Sequence, residues 1–197
     1  MGRFKHLVVF EEGMKSFRTK YNIPPHVSVR YAAQREWFDK RKIGEVVIPM
    51  IAFIEGGMTI PMGTLTRNFL RFFRLSPTQC APNMFRVLQS IEALNERMNL
   101  NLTHHDVNWI YNLHNLKGQG YYLKSRHSEV RLIQCLPISN KGLKGDFLIF
   151  SRQWHDGLSS PVKEGTPGGG SIAKFYNLSC TILPFPLPFA ITEMCFS

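Results

Sequence analysis

Between Pro82 and Asn99, five residues decide much of what this chain can fold into. Phe85, Leu88, Ile91, Leu94 and Met98 recur at the spacing of one helical stripe, with Arg86, Gln89, Glu96 and Arg97 largely off it. Such a helix is stable only with its apolar stripe buried, so the chain must build a core around it. The means are present: 44% of the 197 residues are hydrophobic, and 15 Phe, 6 Tyr and 3 Trp supply large side chains. The length suits one domain with tails or with a poorly packed extension.

Other helices announce themselves by their ends. Pro61 and Thr64 lead into a helix with Thr64 as the expected N-cap, and Leu65, Phe69, Phe72 and Phe73 fall at helical spacing within it. Ser76-Pro77-Thr78-Gln79 has a capping serine, a proline at the first position and a glutamine where a capping box needs it. Thr103 caps a further short helix with Asp106 in its first turn, carrying Val107, Ile110 and Tyr111, with Trp109 and His114 as candidate extensions. Gly118 and Gly120 are expected to stop it. Val27 to Phe38 reads as one more short helix, with Tyr31 and Trp37 among its apolar residues.

The pattern changes after Gly120. Tyr121–Lys124, Val130–Leu136 and Phe147–Phe150 read as short strands separated by turn residues, and Gly44–Met50 as an extended stretch ending at Pro49. Gly56-Gly57 reads as a flexible joint. The fold expected is α+β and mostly α: a compact helical domain with a small antiparallel β-hairpin or three-strand sheet, flanked by poorly ordered tails. Residues 1–42 form a basic, partly ordered segment, 43–156 the α+β domain, and 157–197 a Gly/Pro-rich linker and irregular tail.

Charge gives the first functional pointer. Lys and Arg number 24 against 14 Asp and Glu, a net charge of +10. That excess attracts polyanions, nucleic acid first and an anionic membrane second. Arg67, Arg71 and Arg74 fall at i, i+4 and i+7, on one face of the expected helix. Their planar forks suit phosphate, and a row of them positions a nucleic-acid backbone without reading bases. Arg35, Lys40, Arg41 and Lys42 form a second basic cluster, a candidate arm or nuclear-localisation patch. The competing readings are a solvated polar face and a charged terminus.

Catalytic and metal chemistry find little support in the spacing. Cys80, Cys135, Cys180 and Cys195 lie far apart with no CxxC pair, which reads as reduced thiols, the first two packed as small apolar residues. Adjacent His104 and His105 project about 100° apart on a helix, so capping explains His104-His105-Asp106 better than a metal does. No HExxH, GxSxG, P-loop or dinucleotide motif is present. No cofactor and no small-molecule ligand is expected.

Residues 48–62, and within them Glu55-Gly56-Gly57-Met58-Thr59-Ile60-Pro61-Met62, resemble the E-x-G-hydrophobic-x-hydrophobic-Pro-hydrophobic segment of plant transposon-associated proteins, a family also labelled gypsy-type transposon or plant transposon protein. The resemblance continues through Phe69–Gln79, Pro82–Arg86, Tyr121–Lys124, Leu136–Lys141 and Phe147–Trp154, and covers roughly residues 17–156. It implies an element-derived domain of unknown activity and transfers no catalytic residue. It ends near Gly157. The Leu-Pro-Phe-Pro-Leu-Pro-Phe run beyond looks like translated non-coding sequence, as in a truncated element or a reading past a splice site.

The leading expectation is therefore a non-enzymatic, Gag-like module that contacts nucleic acid or copies of itself. It would be located inside the cell, in nucleus or cytoplasm, with no signal peptide and no membrane span. Two alternatives stay open. One is an enzyme whose site joins His127, His155, Asp146 and Cys135 in space; the other is a decayed element fragment without selected function.

Overall fold

The computed structural model describes residues 2–33, 45–116, 120–127, 132–134, 136 and 145–151. The chain divides into two units, Met1–Pro161 and Val162–Ser197, and every described residue lies in the first. Along it run α1 (Glu11–Lys20), β1 (Val29–Ala33), β2 (Val46–Pro49), α2 (Met50–Ile54), α3 (Thr64–Phe72), α4 (Pro82–Met98), α5 (His104–Ile110), β3 (Tyr111–Asn115), β4 (Tyr121–Ser125) and β5 (Asp146–Phe150). Short 3₁₀ turns sit at Lys5–Leu7 and Pro77–Gln79. The fold is α+β, with helix outweighing strand among the described residues.

β5 carries five buried residues in a row, the pattern of a strand covered on both faces. It lies between β1 and β2 and runs antiparallel to both, with Leu148 opposite Tyr31 on one side and Ile48 on the other. Side chains alternate across the sheet. Leu148, Phe150, Val46 and Ile48 join the main core, while Phe147, Ile149, Ala32 and Val47 form a separate buried cluster on the other face. β3 and β4 pair as a two-stranded antiparallel hairpin, with Leu113 opposite Leu123.

The stripe on α4 supplies the helical side of the core. Phe85, Leu88 and Ile91 are buried, each worth about 1.5–3 kcal/mol relative to exposure. Leu94 is half-buried and Met98 is 54% exposed, so the stripe outruns the core at its C-terminal end. Asn99, at φ 49°, closes the helix in the left-handed region, where asparagine is tolerated. A chain of rings brings the N-terminal elements into the same core. Phe17 of α1 packs on Phe53 of α2 at 5.6 Å between centroids, and Phe53 on Phe150 of β5 at 5.8 Å.

Several local expectations are corrected. Val27–Phe38 is not a helix where it is described: Val29–Ala33 is β1, because pairing with β5 satisfies its backbone. The basic segment 1–42 thus contributes a strand and buried Phe4, Phe17, Tyr21, Ile23 and Val27, and residues 34–42 lie outside the described residues. Tyr111 and His114 belong to β3 rather than to the helix before it, since Tyr111 and Leu113 turn inward with period two. The three-strand sheet draws on β1 and β2. Leu132, Ile133, Gln134 and Leu136 lie in no strand, and the rest of Val130–Leu136 lies outside the described residues.

Gly56 is no joint. It is buried, and a Cβ there would overlap the carbonyl oxygen of Ala52 and lie 2.9 Å from Phe85 Cβ and 3.1 Å from the Pro82 carbonyl oxygen. The second residue after α2 therefore has to be glycine for α4 to approach. Thr64 is the first residue of α3 rather than its cap, and the N-cap Gly63 has no side chain to offer. Glu92 of α4 supplies the missing acceptor, taking the Thr66 amide at 3.0 Å and the Thr66 hydroxyl at 3.4 Å. A carboxylate at that end also suits the helix dipole.

Candidate nucleic-acid interface

α3 ends in a reversal that sets out two arginines. The Arg74 amide donates to the Arg71 carbonyl at 3.1 Å, and the Leu75 amide donates back to the Leu70 carbonyl at 2.8 Å. This double closure needs its penultimate residue in the left-handed region, a position usually filled by glycine. Here Arg74 holds it, at φ 52°. Leu75 is buried behind the turn, while Arg71 and Arg74 are exposed on either side of Phe72-Phe73. Cations at a helix C-terminus complement its dipole, so the two arginines also serve the helix.

The N-terminus of α5 packs against this end of α3. Thr103 caps α5: its hydroxyl accepts the His105 amide at 3.3 Å, while Asp106 takes the Thr103 amide at 2.8 Å and hydroxyl at 2.7 Å. This fixes the first turn and with it His104 and His105. Their rings stand 4.1 Å apart, and the Phe72 ring lies 4.8 Å from His104 and 5.3 Å from His105. Phe72 is nevertheless 50% exposed. Partial burial and the neighbouring His105 hold His104 below the ordinary histidine range, with Asp106 pulling the other way. The expectation that the two imidazoles diverge is corrected: they stand side by side against Phe72.

The expected arginine row does not survive as a helical face. Arg67 and Arg71 lie one turn apart on α3, but Arg74 follows the helix end. Arg67 is half-buried and donates to Thr64 Oγ1 at 3.4 Å. Arg35, Lys40, Arg41 and Lys42 lie outside the described residues. Some N-terminal positive charge is structural. Arg18 donates to the carbonyls of Pro24 at 2.7 Å and Val27 at 2.9 Å, holding the loop before β1, and Arg30 pairs with Glu45 at 2.7 Å.

Phe72, His104 and His105 were not legible as a group. Helical spacing puts Phe72 on the apolar side of α3 and reads the histidines as capping residues; only tertiary packing joins them.

The groups considered for catalysis are placed otherwise. Asp146 is buried and accepts from the Phe4 amide at 2.8 Å and the Tyr31 hydroxyl at 2.6 Å. His127 is exposed just past β4, and His155 and Cys135 lie outside the described residues. Cys80 is buried, which pushes its thiol above the usual range, and its Sγ donates to the Ser76 carbonyl at 3.3 Å. Among the described residues no group of three His, Cys, Asp or Glu could hold a metal ion, and no helix is long and apolar enough to cross a membrane.

No family model matches the chain, and no curated protein or solved structure matches it.

Proposed function

We propose that this chain is a non-enzymatic nucleic-acid-binding module derived from a transposable element. The observation that carries the reading is the end of α3, where Arg71, Phe72 and Arg74, within four residues of one another in sequence, are all exposed. The net charge of +10 supports it by drawing polyanions to the surface. Left-handed Arg74 supports it too. An arginine there costs about 1–2 kcal/mol against the glycine the turn prefers, which is understandable if its charge is used. The sequence resemblance of residues 17–156 supports the element-derived origin.

Phosphate contacts of this kind position a strand without reading its sequence. They release counterions, so affinity must fall as salt rises. Fluorescence anisotropy with labelled oligonucleotides of several sequences tests this. Binding of all of them at low salt, weakening steeply with added salt, agrees with the proposal. Absence of binding at low salt, or affinity indifferent to salt, contradicts it.

A further inference from the structure

We infer that the Phe72, His104 and His105 rings form a stacking platform that makes this module prefer single-stranded over duplex nucleic acid. The inference rests on the nucleic-acid reading and narrows its ligand. Three rings meet at centroid distances of 4.1 to 5.3 Å, tilted by 37° to 72° to one another, so a base stacks on the face of a single ring rather than on a common plane. The central one leaves half of its surface in water. Trp109, one helical turn beyond His105 on α5, is 52% exposed and shares that side of the helix.

Exposed rings offer bases a surface, and arginines beside them offer phosphates a partner. That pairing is the physical basis of single-strand binding, because every unpaired base has a π-face while duplex bases are already stacked on one another. Phosphate contacts alone give no such preference, since the duplex carries the denser charge. Arg71 and Arg74, exposed on either side of Phe72-Phe73, supply the charge complementarity. The Asp106 carboxylate is turned onto Thr103, where it closes the cap. A second copy of the chain is the other occupant an apolar surface invites, but two copies at +10 each repel.

The test compares a labelled oligo-dT single strand with a blunt duplex of equal length, at one salt concentration, for the wild type, Phe72→Ala and Phe72→Trp. The wild type should favour the single strand. Phe72→Ala should weaken single-strand binding by about tenfold while leaving duplex binding nearly unchanged, and Phe72→Trp should restore the preference. Circular dichroism confirms that both variants fold, and sedimentation reports the oligomeric state.

Salt-dependent binding to both probes with a ratio that Phe72→Ala does not alter overturns this inference and leaves the parent reading standing. So does a wild-type dimer that Phe72→Ala dissociates, which would give the rings to a second copy. No binding to either probe at low salt overturns both.

Discussion

The side-chain amide of Asn83 holds both backbone groups of Leu123: its Nδ2 donates to the Leu123 carbonyl at 2.8 Å, and its Oδ1 accepts the Leu123 amide at 3.4 Å. Asparagine carries the donor and acceptor of a peptide group, so α4 stands in for a neighbouring strand along β4. The Ala81 amide continues the pairing by donating to the Tyr121 carbonyl at 2.7 Å. The hairpin is thereby fixed to the helix that carries the core.

Asn83→Ala should therefore cost more than a surface substitution. It leaves two buried backbone groups unpartnered, a loss of about 1–3 kcal/mol. Urea unfolding at equilibrium measures it, and a change within about 0.5 kcal/mol would show that the contact adds nothing.

Gly56→Ala tests the approach of α2 to α4. The added methyl meets the Ala52 carbonyl and Phe85 Cβ, neither the tip of a flexible side chain. Destabilisation of about 1–3 kcal/mol is expected, the usual range for an overfilled core. Gly57→Ala, at φ 69° with only Arg86 nearby, should be strained through its backbone instead. A thermal melt of Gly56→Ala matching that of the wild type would count against the close contact.

Glu92 gives a pH signature. Burial raises its pKa, assisted by Glu96, and the hydrogen bonds from Thr66 and Leu65 oppose the rise without cancelling it. A carboxyl with a raised folded pKa binds its proton more tightly when folded. Its contribution to stability is fully present below the unfolded glutamate range and is lost as pH rises through the folded pKa. Relative to Glu92→Gln, the wild type should thus lose stability between acidic pH and neutrality. Denaturant titrations of both proteins across that interval decide the matter, and a wild type that gains on the variant would reverse the sign.

What the sequence made legible was local. The α4 stripe, the Thr103–Asp106 cap, the Ser76–Gln79 turn, where the Ser76 amide donates to Gln79 Oε1 at 2.9 Å, and Asn99 at a helix end are each written within a few residues. β1 was not legible, because its partner lies far along the chain: Tyr31 and Asp146, in contact across the sheet, are 115 residues apart. Tyr111 follows α5 without a break in composition, and only the inward turn of Leu113 marks the change of period. The arginine row failed because i+7 spacing was carried past the point where the chain reverses at Arg74. The ring cluster was hidden for a similar reason. Phe72 sits on the apolar arc of α3 but in its last turn, beyond the reach of the core.

The salt dependence of binding by the wild type and by the Arg71→Ala/Arg74→Gly double variant tests the central claim most directly. Glycine suits the left-handed position, so the variant should fold and melt no lower than its Arg71→Ala parent. If both arginines contact phosphate, the slope of log affinity against log salt should become shallower by about two, with affinity lost evenly across sequences. An unchanged slope with affinity intact would place the nucleic acid elsewhere, and the account of α3 as the interface would be wrong.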